Sequence, residues 1–143
     1  MPKIDLSRFI EAQKNHYEIA LAEVKSGKKR SHWMWYIFPQ LSGLGQSKTS
    51  QFYAITNLDE AGEYLSHEVL GSRLREISHE LLKLEENNTY NIFGSPDDMK
   101  LQSSMTLFSQ VDSENGIFQK VLNKFFDGMC DHKTIEFLNS QSK

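Results

Sequence analysis

Apolar residues recur at helical spacing along most of the chain. Between residues 6 and 26, Ile10, Tyr17, Leu21 and Val24 stand seven, four and three positions apart, which places them on one face of an α-helix. Asp5 or Ser7 can cap the start of that helix, and Gly27 can end it. Asn57 opens another helix, with Glu60 three residues on in a capping-box-like pattern. Residues 69–86 carry Leu70, Leu74, Ile77, Leu81 and Leu84 on one stripe, with charged residues opposite. Asn87 and Asn88 end that stripe. Gly71 lies near its start, where a helix tolerates glycine better than in its middle. The clearest helix start is Ser95-Pro96-Asp97-Asp98: serine caps, proline fits the first helical position, and two acids face the positive end of the dipole. After Asp112-Ser113 the chain restarts. Ile117, Val121, Leu122, Phe125 and Phe126 then form an apolar face closed by Gly128, and Asp131 can cap a last short helix.

Residues 31–40, SHWMWYIFPQ, interrupt this rhythm. Large side chains follow one another without alternation, so periodicity leaves a buried strand and a short buried helix equally open. Pro39 biases Phe38 away from helix and ends the element. The following LSGLGQSKTS reads as a loop. No repeat, low-complexity stretch or linker divides the chain. The pattern predicts a compact all-α single domain over residues 1–143, with about five to seven helices and little or no sheet.

Composition narrows the function classes. The chain has 143 residues, 38% hydrophobic and 24% charged, a globular balance long enough for a real core. Net charge is −3, and the one basic run, Lys28, Lys29 and Arg30, reads as a solvated loop, so a nucleic-acid partner is not expected. Cys130 is the single cysteine. It excludes a disulfide within the chain and a zinc site built on cysteines. With no apolar leader and no run of ~18 apolar residues, a cytoplasmic protein is expected, without a membrane partner. His16, His32, His67, His79 and His132 include no pair at four-residue spacing, so no metal and no cofactor are expected. The oligomeric state is not legible.

Familiar catalytic signatures are missing. Gly43-Leu44-Gly45 begins like a dinucleotide fingerprint, but Lys48 stands where the third glycine belongs. Two stretches nonetheless carry polar groups that packing does not require. The first is the 31–40 segment, which holds both tryptophans. Met34, Ile37 and Phe38 read as core. His32 and Gln40 are polar ends whose burial without partners would cost roughly 1–3 kcal/mol each. Either the fold supplies partners, or they line a pocket. The second stretch is Asp97, Lys100, Ser103, Ser104 and Thr106. Asp97, Lys100 and Ser104 share a helix face. Asp97 and Lys100 can be a plain surface pair worth ~0.2–0.5 kcal/mol, or part of a polar stripe facing a ligand.

The run Gly27-Lys28-Lys29 with SHWMWYIFPQLSGLG resembles the signature of a bacterial family known as domain of unknown function 1810. The resemblance continues through Leu70-Gly71-Ser72-Arg73-Leu74, Ile92-Phe93-Gly94, Lys100-Leu101 and Ser103 to Phe108, and spans nearly the whole chain. It implies a compact all-α fold and no particular activity. It also singles out polar positions: His32, Gln40, Arg73, Asp97, Lys100, Ser103 and Thr106.

Together these features point to an anionic, nucleotide-like small molecule that the domain binds, with chemistry on it left open. Arg73, Lys100 and the helix start at residue 96 would receive negative charge. Trp33 or Trp35 would stack on a base or sugar. Gln40, Gly43 and Gly45 would form a rim, and Ser103, Ser104 and Thr106 would offer hydroxyls. His32 and Asp97 would be the acid–base pair if a reaction occurs. The 31–40 segment and the helix around Lys100 are expected to meet and frame one pocket, with His32 pointing inward between Trp33 and Lys100. The alternative is a protein-interaction module that displays the aromatic residues of 31–40 as a patch.

Overall fold

The computed structural model describes residues 4–112 and 116–141. Ten helices are present among them: α1 Ser7–Gln13, α2 Tyr17–Lys25, α3 Met34–Ile37, α4 Lys48–Phe52, α5 Leu58–Ser66, α6 Glu68–Lys83, α7 Thr89–Phe93, α8 Asp97–Ser109, α9 Ile117–Phe126 and α10 His132–Gln141. No strand occurs among the described residues; Leu41 and Ile55 form an isolated parallel bridge. The all-α class agrees with the pattern, but the count exceeds the expected five to seven.

Local chemistry explains the surplus. The helix expected over 6–26 is two helices, because the chain breaks at 14–16, where the His16 N–H reaches Gln13 O at 3.1 Å in a tight turn. Phe9, Gln13 and Tyr17 keep four-residue spacing across the break and are all buried, so periodicity passes over it. Two short helices arise where no helix was expected. Ser47 accepts from the Ser50 N–H at 3.0 Å and caps α4. Asn88, read as the end of one helix, accepts from the Tyr90 N–H at 3.0 Å and caps α7. The ambiguous 31–40 segment resolves as the single helical turn of α3.

Several expected caps are displaced. Asn57 does cap α5, accepting from the Glu60 N–H at 2.9 Å. Glu60, however, accepts from the Thr56 N–H at 2.7 Å instead of closing back on Asn57. Ser95 does not cap α8: Pro96 flanks the helix without a side-chain cap, and the Asp98 N–H returns to Gly94 O at 2.9 Å. Asp131 accepts from the Thr134 N–H at 3.1 Å, as expected of a cap on α10.

Helix α8 is the hub. From Leu101 to Ser109 every residue but Gln102 is buried, and α8 packs against α5, α7, α9 and α10. Its apolar side chains meet the stripe Leu70, Leu74, Ile77 and Leu81 of α6 in one core. Gly71 has a specific reason there. A Cβ on it would stand 2.0 Å from Leu65 O, so α6 can start against the end of α5 only without a side chain at that position. None of the described helices is long and apolar enough to cross a membrane.

Candidate functional site

The chain between α2 and α3 is held like a clasp. Gly27 leaves α2 with φ +79°, and the Lys29 N–H then bonds Ile92 O of α7 at 2.8 Å. Glu23, buried on α2, gathers the next residues with its carboxylate. Oε1 accepts from the N–H groups of Arg30 at 2.7 Å and Ser31 at 3.0 Å. It also accepts the Trp33 indole N–H at 2.9 Å, while Oε2 accepts the Ser31 hydroxyl at 2.6 Å. Burial alone would raise the Glu23 pKa, but these four hydrogen bonds outweigh it and hold the group down at about 2.

That clasp aims Lys29 at the start of α8. The Lys29 ammonium is 2.9 Å from Asp97 Oδ2, and its side chain is only 8% exposed. Lys100 stands one turn along α8, its Nζ 3.6 Å from Asp97 Oδ1. Each ammonium also lies over an indole: Lys29 over Trp33 at 5.2 Å and Lys100 over Trp35 at 5.1 Å, within cation–π range. Two lysines and one carboxylate leave a net charge of +1. The Lys29 contact is the close ion pair, and that of Lys100 the looser one, beyond hydrogen-bond length. Among the described residues the Lys100 ammonium, on a side chain only 22% exposed, has this longer ion pair to Asp97 and no hydrogen-bond acceptor for its three N–H donors. The 31–40 segment and the helix around Lys100 thus meet in space.

The remaining candidates fall in different places. Trp33 is 1% exposed and its N–H is taken by Glu23, so it has no face for a ligand. It packs edge-on against Phe93, centroids 6.4 Å apart. Trp35 is only partly buried. His32 is exposed instead of pointing inward between Trp33 and Lys100; its carbonyl accepts from the Tyr36 hydroxyl at 3.2 Å. Two of the four hydroxyls of α8 fasten α10. Ser103 Oγ reaches Asp131 Oδ2 at 3.1 Å. Thr106 Oγ1 donates to Gln102 O at 2.8 Å and accepts from the Asp131 N–H at 2.9 Å. Ser104 is fully buried, and its hydroxyl has no partner among the described residues.

Gln40 and Gly45 line, with Trp35 and Tyr53, a cavity of about 10 Å³, room for one water at most. A Cβ on Gly45 would stand 2.4 Å from the Ser50 Cβ, so this glycine admits α4 against the loop. Gly43 and Gly45 border an open cleft of about 480 Å³ with Gln46 and Gln51. Neither space includes His32 or Lys100.

Arg73 belongs to a second polar cluster, under the α1–α2 break. One Arg73 N–H reaches Gln13 Oε1 at 3.4 Å, and the guanidinium lies 4.9 Å from the Tyr17 ring centroid. Gln13 donates to Tyr36 O at 2.7 Å and to the Tyr64 hydroxyl at 3.0 Å. Tyr17 donates to the Glu76 carboxylate. Burial, reinforced by Glu76, pushes the Tyr17 phenol far up, and burial does the same to Tyr64. This cluster is a hydrogen-bonded network, buried at Gln13, Tyr17 and Tyr64, half-buried at Arg73 and open to solvent at Glu76. No group of three or more metal-ligating side chains stands together among the described residues.

Sequence reasoning missed Lys29 and Glu23. Lys29 sat in a run read as solvated, and its partner is 68 residues away, out of reach of any local pattern. Glu23 had one weak signal: it follows Ala20 by three, at the edge of the apolar stripe of α2.

An all-helical domain with a two-lysine, one-carboxylate cluster beside a partly exposed indole describes the class of protein. More specifically, the chain belongs to the family described as protein of unknown function DUF1810, whose profile matches residues 3–138. It is similar in structure to the conserved hypothetical protein Rv1873 from Mycobacterium tuberculosis, solved by crystallography at 1.38 Å. The TM-score is 0.92 at 43% sequence identity, covering 94% of this chain and 96% of that one. No functionally curated protein matches the chain.

Proposed function

We propose that the domain binds an anionic, nucleotide-like small molecule at Lys100 and Trp35. The observation that carries this reading is the Lys100 ammonium, partly withdrawn from water, held over Trp35 and without a hydrogen-bond acceptor among the described residues. A phosphate or carboxylate would supply acceptors to its three donors. The exposed part of Trp35 would give a base or sugar a surface to stack on. Asp97 acts in this reading as an ionised partner of the lysines, and His32, exposed nearby in sequence, remains the acid–base candidate. The aromatic-patch alternative loses most of its surface, because Trp33, Met34, Tyr36, Ile37 and Phe38 are buried.

Differential scanning fluorimetry of the full chain against adenosine and guanosine mono-, di- and triphosphates tests the reading. Saturation at a hundred times the dissociation constant raises apparent stability by ~2.7 kcal/mol. Lys100→Met should remove the shift; methionine keeps much of the apolar stem, so the unliganded midpoint should fall only by the lost cation–π and long ion-pair contacts, about 0.5–1 kcal/mol. The same ligand-induced shift in Lys100→Met and in the parent would refute it.

A further inference from the structure

We propose that Lys29 is the positioning residue of this site: by holding Asp97 it keeps Lys100 free, and so it sets the affinity for an anion it never touches. The proposal rests on Lys100 being the anion-binding cation.

Asp97 and Lys100 stand three apart on α8, the spacing at which opposite charges pair along a helix by default. Left to themselves, they would neutralise each other and the site would hold no net charge. They do not pair closely. The carboxylate is 2.9 Å from Lys29 and 3.6 Å from Lys100, so Lys29 wins the competition. Burial explains why. The Lys29 side chain is 8% exposed and that of Lys100 is 22% exposed. The more buried ammonium loses more by giving up its carboxylate, because nothing but water could replace it and water has poor access. Lys29 is also fixed from behind. Its N–H is bonded to Ile92 O, the following residues are gripped by Glu23, and its ammonium rests on Trp33. Its backbone is thereby held facing the start of α8. Asp97 is thus drawn to the loop side, and Lys100 keeps only the longer ion pair, with its N–H donors uncommitted.

Charge arithmetic separates this from a purely structural role. The cluster carries +1 in the native chain, 0 in Lys29→Met, +2 in Asp97→Asn and +1 again in the double variant. Binding of inorganic pyrophosphate and of adenosine diphosphate to the full chain is measured by titration calorimetry in low salt. Lys29→Met should weaken both by roughly tenfold, Asp97→Asn should tighten them, and the double variant should return to within about threefold of the parent. Lys29→Arg should keep near-native affinity. A double variant as weak as Lys29→Met, or weaker, overturns the proposal while leaving Lys100 as the anion site. Should Lys29→Met fail to fold, Asp97→Asn decides: tighter binding supports the proposal and weaker binding overturns it. If neither the parent nor Asp97→Asn binds either anion, the proposed function itself falls, and the role of Lys29 with it.

Discussion

Replacing Glu23 probes the clasp that builds the site. Its carboxylate accepts four hydrogen bonds, three of them on Oε1. Glutamine keeps a carbonyl for Oε1, and the Ser31 hydroxyl can rotate to accept from the new amide, so Glu23→Gln removes chiefly the charge. Two routes give the cost. Hydrogen bonds to a charged acceptor are worth ~1.5–3 kcal/mol against ~0.5–1.5 for neutral ones. The fall of the pKa from its ordinary 4.5 to about 2 corresponds to about 3 kcal/mol. Glu23→Gln should therefore lose about 2–3 kcal/mol at pH 7, a midpoint drop of roughly 8 °C. Glu23→Ala should lose about 4 kcal/mol, because it also strands the buried Trp33 N–H. The sign of the pH dependence follows from a folded pKa lying below the unfolded one. The contribution is complete above about pH 4.5 and disappears as pH falls toward 2. Urea unfolding of parent and Glu23→Gln at neutral and acid pH should thus show a gap that closes on acidification. A gap under ~0.5 kcal/mol at pH 7, or one that stays constant with pH, would refute the reasoning.

Two further outcomes follow from packing and burial. Gly71→Ala should cost ~3 kcal/mol, read as a lower urea midpoint, because its Cβ would meet the backbone carbonyl of Leu65 and not a side chain that could turn aside; a helix-propensity gain at that position would contradict it. Burial raises the phenol pKa of Tyr17 and Tyr64 above the ordinary 10, so stability is complete below about pH 10 and falls as pH rises beyond it. An alkaline absorbance titration of the native protein should then show a smaller phenolate step than the unfolded chain.

The helical class, the stripe of α6 and the caps at Asn57 and Asp131 were legible because each depends on residues within one or two turns. The break after Gln13 was not, since the apolar spacing runs straight through it. Nor were α4 and α7: each is a single turn whose capping residue, Ser47 or Asn88, reads equally well as loop. For the site, Lys100, Asp97 and the meeting of α8 with the 31–40 segment were within reach. The separate fates of the tryptophans were not, and the hydroxyls of Ser103 and Thr106 proved to be fasteners for α10. These depend on which distant residue supplies a partner, as Glu23 does for Trp33 and Asp131 does for Ser103. Spacing along the chain carries no information about that.

Trp33 and Trp35 are two residues apart, which is about 200° around a helix, so α3 and its flank turn them in different directions. Trp33 enters the core and meets Glu23 and Phe93, while Trp35 stays partly exposed beneath Lys100. Each indole carries a lysine ammonium, and both lysines approach Asp97. The signature segment is therefore one device with an inner and an outer half, joined through a carboxylate. Because the chain has two tryptophans, the halves can be watched separately. In Trp33→Phe the emission comes from Trp35 alone, and a ligand stacking there should quench it. In Trp35→Phe the emission comes from the buried Trp33, and the same ligand should leave it almost unchanged. Quenching confined to Trp33 would place the ligand against the inner half and contradict the assignment of the site to Lys100 and Trp35.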